Sequence, residues 1–340
     1  MHTTANLQYT IATIGSHSAL QILKGAKDEG FKTIAICKKG MEKPYRMFNV
    51  ADEIILINSY NEFESVQEYL VEQNTILIPH GSFVAYLGEA RIKALKPLYF
   101  GTKAVLDWES DREKQREWLL KAGLKLPMRF ISPEDIDRPV IVKFHGAKGG
   151  MGYFLAKNKE DFYSKIGEHP DEKFTIQEYI VGVPVYIHYF YSPLTNELEI
   201  MGFDKRYESN VDSLGRISAR DQIALPNVDP SYVVVGNIPI VIRESLLPKA
   251  IEMGESVVEV SKEICSPGLY GPFCLEGVLT PLQEFVIFEI SARIVAGTNV
   301  YMRGSPYTAL KYNKHVSNGR RIAMEIKFAI EQGKLNKITE

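Results

Sequence analysis

The sequence predicts an α/β region followed by an α+β region: a parallel βα sheet first, then two antiparallel sheet lobes with flanking helices. Three observations carry this prediction. Residues 9–101 alternate β-branched apolar runs with segments of helical spacing. Those runs are nearly continuous in apolar residues, as expected of parallel strands covered on both faces. Beyond residue 105 the rhythm changes to PVIVKF, YFLAK, KFTIQEYI, VPVYIHYFYS and ELEIMGFDKRY, which are antiparallel in character.

In order, strands are predicted at 9–15, 31–37, 51–58, 75–81 and 97–101. Helices fall at 16–30, stopped by Gly30, and at 60–73 and 83–95. The βα rhythm stops across 102–110. One amphipathic helix spans 111–123, a proline-punctuated connection 124–139, and helical periodicity returns at 244–265 and 317–333. The division expected is residues 1–105, then 106–340, with a glycine-rich lobe over about 125–190 and a second lobe over about 191–340.

At 340 residues, 45% hydrophobic and 24% charged, the chain has the composition of a globular protein with ample core. A net charge of −2 gives no reason to expect nucleic acid or a membrane surface as partner. Cys37, Cys265 and Cys274 show no CxxC spacing, so neither a disulfide framework nor a zinc site is indicated. There is no signal-like apolar segment and no run of about 18 apolar residues, so a cytoplasmic location is expected.

Four groups of residues bear chemistry. Gly15-Ser16-His17 and His80-Gly81-Ser82 follow the first and fourth strands, at the edge where parallel sheets bind ligands. Ser16 and Ser82 also read equally well as plain helix caps. GAKGGMG (146–152) follows the strand bearing Lys143 and fits neither a P-loop nor a dinucleotide fingerprint. Its Gly149 and Gly150 suit a flexible hairpin over a triphosphate, and a glycine turn with no ligand is the competing reading. Glu276 and Glu289 interrupt two apolar strands, and a hairpin turning about Leu282–Gln283 sets them opposite one another, Cβ atoms about 5 Å apart. Such like charges need a bridge, and a divalent cation on phosphate oxygens supplies one; separate pairing with Arg or Lys, Arg293 for example, is the alternative. Gln177-Glu178-Tyr179-Ile180 is an extended segment suited either to an adenine edge or to a core strand.

This order of parts resembles the ATP-grasp superfamily, whose members open with a Rossmann-like pre-ATP-grasp domain. Within it, IGSHSALQILKGAKDEGF, VKFHGAKGGMGYFLAK, DKRYESNVDSLGRI, VVVGNIPIVIRESL and FEISARIVAGTN resemble the archaeal formate-dependent synthetases that formylate aminoimidazole-carboxamide ribonucleotide (AICAR), the PurP family. The resemblance covers nearly the full chain. It implies that His17, Ser82 and Asn237 contact AICAR. It further implies that Lys114, Lys143, Gly149, Gly150, Gln177, Glu178, Tyr179, Ile180 and Glu208 hold ATP, and that Glu276 and Glu289 ligate Mg²⁺ or Mn²⁺. A homo-oligomer, trimer or hexamer, is implied as well. Many ATP-grasp ligases carry Glu-x-Asn-x-Arg at the metal strand, whereas this chain has Glu289-Ile290-Ser291-Ala292-Arg293.

The activity implied is ATP- and formate-dependent formylation of AICAR to the formamido product FAICAR through formyl phosphate. Arg293 is the candidate for stabilising charge on the acyl phosphate. A sister ligase with another substrate and a non-catalytic nucleotide-binding regulator are the competing readings. A dinucleotide-dependent oxidoreductase is a poor fit, because IGSHSAL lacks the second and third glycines of the fingerprint.

Overall fold

The computed structural model describes residues 8–144, 153–167, 173–208, 213–224 and 233–340. Five short strands, β1 Thr10–Ile14, β2 Lys32–Lys38, β3 Glu53–Ile57, β4 Thr75–Leu77 and β5 Leu98–Tyr99, pair in parallel in the order β3-β2-β1-β4-β5. Strand β1 thus lies between β2 and β4, so the connections leave it in opposite directions. That opens a crevice at the carboxyl ends of β1 and β4.

The helices of this region are α1 Ala19–Asp28, α2 Lys43–Met47, α3 Gln67–Glu72, α4 Gly81–Tyr86 and α5 Glu89–Lys93. Two expectations are corrected here. The helix over 83–95 is two, because Gly88 between them adopts φ +75° and breaks the ladder. The segment 60–73 begins as a 3-10 turn over Tyr60–Val66 and becomes α-helical only at α3. The stretch 102–110, where the βα rhythm fails, contains α6 Val105–Ser110. It leads directly into α7 Arg112–Lys121, which Asp111 caps by accepting from the N–H groups of Glu113 and Lys114.

A small antiparallel sheet follows, ordered β6-β9-β7-β8: β6 Arg129–Phe130, β7 Val140–Phe144, β8 Tyr153–Ala156 and β9 Phe174–Glu178, covered by α8 Lys159–Ile166. Phe130, Val140, Val142, Phe162 and Ile176 give this lobe a core of its own. The glycine-rich stretch joins β7 to β8, and Gly149 and Gly150 lie outside the described residues.

The large sheet is ordered β12-β11-β10-β13-β14: β10 Val183–Ser192, β11 Glu197–Glu208, β12 Val234–Ile240, β13 Gly271–Leu279 and β14 Phe285–Ser291. With it go α9 Ala219–Ala224, α10 Leu247–Ile264, α11 Pro306–Lys311 and α12 Asn318–Glu331. Its core is continuous with the first region, one cluster running from Ile11 and Ile22 through Trp118, Tyr189 and Phe273 to Ile326. The join is tight where α12 crosses α1. A Cβ at Gly25 would stand 2.2 Å from the Arg320 nitrogen, and one at Gly319 2.2 Å from the Gln21 carbonyl oxygen. No helix among the described residues is long and apolar enough to cross a membrane.

Candidate active site

The large sheet concentrates charge on one face by register. Pro239, Asp204, Tyr186, Glu276 and Glu289 lie side by side across β12, β11, β10, β13 and β14. Directly opposed residues share a face, as do residues two apart. Arg206, its neighbour Asn237, and His188 therefore join the same face. The hairpin expected to oppose Glu276 and Glu289 does so, by a different route. Leu279 pairs with Phe285 and Gly277 with Ile287, so the turn centres on Leu282; a bulge between Glu276 and Gly277 then shifts the register by one and brings Glu289 opposite Glu276.

Glu276 is almost fully buried. Its Oε1 accepts from the Ser291 hydroxyl at 3.0 Å, and its Oε2 lies 2.6 Å from Arg206 Nη2 without a hydrogen-bond donor aligned on it. Ser291, at the position where many ATP-grasp ligases carry Asn, thus orients a carboxylate. Burial and the adjacent Glu276 raise the Glu289 carboxyl above its ordinary range, while Lys143, Arg206 and Arg112 pull it back. Burial lowers the Lys143 ammonium, which Glu289 partly restores, and Lys143 lies 5.4 Å from the Phe288 ring centre. Arg206 stacks 4.0 Å over Tyr186 and stays firmly protonated: burial opposes its charge, but Glu276, Tyr186 and Glu289 outweigh it. Two carboxylates ringed by three cations fit a divalent ion bound with phosphate oxygens. Among the described residues no three His, Cys, Asp or Glu side chains gather as a metal site.

Between the two lobes lies a cleft lined by Lys143, Gln177, Phe288, Arg112, Arg116 and Arg129. Helix α7 supplies two of these cations, anchored against β14 by Gln115, whose side chain donates to the Ile290 carbonyl at 3.0 Å. Lys114 is not among them. It is exposed, and two residues beyond Arg112 on a helix it points nearly to the opposite side. Glu178 is tied to its own lobe, accepting from the Met128 N–H at 3.1 Å and pairing with Arg138 at 3.4 Å. The Tyr179 N–H donates to the Pro139 carbonyl, and Ile180 is half-buried beside it. Glu208 ends β11 half-buried, near enough to raise Tyr186.

The crevice between β1 and β4 meets the far end of the same face. His80 is fully buried, its Nε2 2.9 Å from the Ile14 carbonyl and its Nδ1 accepting from the Ser82 N–H at 3.2 Å. It holds the two loops together, and burial lowers its pKa to about 3. The Ser82 hydroxyl donates to Ser16 at 3.0 Å. Neither serine is a helix cap: Ser18 and His80 occupy those positions. His17, in the left-handed region at φ +51°, stacks on His80 at 5.6 Å yet remains exposed to the crevice. Partial desolvation and then the Arg293 and Arg206 charges hold it below its ordinary range.

Arg293 lies beside His17. It follows Glu289 by four residues, and its Nη1 and His17 Nε2 would each stand 3.1 Å from a Cβ at Gly81. Its partner is Glu109, at 2.9 Å, and not Glu289. Glu109 also accepts from the Ala292 N–H, and its carboxyl is raised by burial against the pull of Arg293. Asn237 donates to Asp204 at 2.7 Å, and Asp204 meets His188 at 2.7 Å. Sequence reasoning missed Arg206, Arg112, Arg116 and Glu109. The Asp204-x-Arg206 alternation, which puts two opposite charges on one face of a strand, was a usable signal for the first; the other three carried none.

A parallel βα region followed by two antiparallel lobes, with a lysine on one lobe and paired glutamates on the other, is the ATP-grasp fold. Residues 11–130 match a family described as a protein of unknown function (DUF1246), and 156–340 one described as a domain of unknown function (DUF1297). A relative from Pyrococcus abyssi, named 5-formaminoimidazole-4-carboxamide-1-(beta)-D-ribofuranosyl 5'-monophosphate synthetase, is 55% identical over 96% of this chain and 97% of its own. One of the same name from Methanocaldococcus jannaschii is 49% identical over 97% and 95%. The crystal structure of an IMP biosynthesis protein PurP from Thermococcus kodakaraensis superposes with TM-score 0.77 at 30% identity, covering 97% of this chain and 100% of that one. An ADP complex of N5-carboxyaminoimidazole ribonucleotide synthetase shares the fold at TM-score 0.66 and 15% identity, over 92% of this chain and 74% of that one. The chain belongs to the PurP family of 5-formaminoimidazole-4-carboxamide ribonucleotide synthetases.

Proposed function

We propose that this chain is the ligase that formylates AICAR to FAICAR with formate and ATP, in IMP biosynthesis, releasing ADP and phosphate. The observation that carries this reading is the position of Arg293. It stands beside His17 at the amine-substrate end and follows Glu289, of the phosphate end with Lys143 and Glu276, by four residues on the same chain segment. A hydrolase or a nucleotide sensor has no need of the second end.

ATP would lie in the cleft between lobes, with its phosphates toward Lys143, Arg112 and Arg116. Glu178 and the N–H groups of Glu178 and Tyr179 are committed to their own lobe, so within the Glu178–Ile180 segment a purine edge would be read at the Ile180 backbone. Mg²⁺, or Mn²⁺, held by Glu276 and Glu289 would neutralise charge on the phosphates. A formate oxygen attacks the γ-phosphorus, forming formyl phosphate as ADP leaves. The AICAR amine then attacks the formyl carbon; the C–N bond forms, the C–O bond to phosphate breaks, and the amine loses a proton. Arg293 stabilises the charge that gathers on the acyl phosphate. AICAR would rest against His17, Ser82 and Asn237. The division at about residue 105 and a homo-oligomeric assembly complete the reading.

ADP release measured with AICAR and formate omitted in turn tests it, with the product identified by mass. ADP formed only when both are present, with a formylated ribonucleotide, is the expected result. Turnover indifferent to AICAR would assign another amine substrate.

A further inference from the structure

Asp204 is almost fully buried on the active face and makes two hydrogen-bonded contacts. Its Oδ2 accepts from Asn237 Nδ2 at 2.7 Å, and its Oδ1 lies 2.7 Å from Nε2 of the equally buried His188. It has little room to move: a Cβ at Gly297 would stand 2.3 Å from Oδ1, so that glycine closes the pocket from above. A carboxylate is an acceptor only, so the Asn237 amide must turn its NH₂ toward Asp204. The amide oxygen is then directed elsewhere, and no partner for it exists among the described residues.

We propose that Asp204 is a positioning residue that decides which chemistry the amine-substrate site reads. By taking the Asn237 NH₂, it presents Asn237 Oδ1 as a fixed acceptor, so the site selects a ligand with an N–H at that position and disfavours a carboxylate there. This rests on Asn237 belonging to the amine-substrate site. AICAR carries such donors on its 5-amine and its 4-carboxamide. His188 and Gly297 hold Asp204 in place and need not touch the ligand.

Binding and steady-state kinetics on the full chain test this, with three ribonucleotides: AICAR, its 4-carboxylate analogue, and the analogue with hydrogen in place of the 5-amine. Wild-type protein should bind one of the two analogues about ten- to a hundredfold more weakly than AICAR. In Asp204→Asn the amide of Asn237 is free to turn. KM for AICAR should rise by about tenfold or more and the discrimination should shrink to within about threefold, while KM for ATP moves less than about twofold. A merely structural role would lower the melting temperature without this ligand-specific split. Asp204→Asn with AICAR affinity and discrimination unchanged, beside an Asn237→Ala that loses both, overturns the proposal and leaves the Asn237 assignment standing. If Asn237→Ala changes nothing either, the site assignment itself fails. Should Asp204→Asn not fold, the wild-type comparison still decides: equal affinity for all three ribonucleotides overturns the proposal.

Discussion

Arg293 and Glu109 form a pair in which neither partner is dispensable. Glu109 is buried, and Arg293 with the Ala292 N–H is what keeps its charge tolerable. Arg293→Ala should therefore fail twice. Turnover should drop by about a hundredfold through loss of charge stabilisation. Stability should drop by on the order of 3 kcal/mol, because a buried carboxylate loses its partner. Adding Glu109→Gln should recover most of the stability and none of the turnover, as denaturant titration and ADP release would record. Wild-type turnover in Arg293→Ala would remove the catalytic role.

His80 sets a pH dependence of known sign. Its pKa is about 3 folded and near 6.5 unfolded, so the unfolded chain binds more protons between those values. The stability it contributes is present above pH 6.5 and lost as pH falls toward 3. The total is on the order of a few kcal/mol, because burial, and then the neighbouring His17, disfavours the charged imidazole. His80→Gln should flatten the slope in that window, measured as unfolding free energy against pH.

Among elements, the α1–α12 crossing holds the first region to the large lobe. Gly25 and Gly319 allow the helix backbones to touch, and the atoms a Cβ would meet are main-chain atoms that cannot swing aside. Gly25→Ala is expected to cost about 1–3 kcal/mol despite alanine's better helix propensity. Lower thermal stability, with the far-ultraviolet spectrum retained, is the expected outcome. The β13–β14 hairpin shows the opposite kind of specificity: its bulge and the +63° φ of Gln283 at the turn together decide which residue faces Glu276.

Across the molecule, the small lobe is the separable part. Its core is its own, while the first region and the large lobe share one. Ligands in the cleft bridge bodies that otherwise share little apolar surface, so ATP with Mg²⁺ should slow amide exchange in β6–β9 well beyond that in β10 and β13. Hydrogen exchange with mass spectrometry, with and without nucleotide, reads this directly. Equal protection everywhere would mean the lobes already move as one.

Periodicity is local, so it determined the parallel region, the antiparallel lobes and the long helices from residues alone. Motif order placed His17, Ser82, Lys143, Glu276 and Glu289 on strand ends and inward faces. The Glu276–Glu289 opposition was legible because a hairpin's register depends on a few neighbouring residues, although the bulge that achieves it was not. Tertiary structure decided the rest. Arg206 completes the acidic pair through a third strand, Glu109 reaches Arg293 across 184 positions of sequence, and Arg112 rather than Lys114 faces the cleft because of how α7 rolls against β14. Such pairings depend on sheet order and helix rotation, which are set by the packing of distant apolar faces, and no local pattern encodes them.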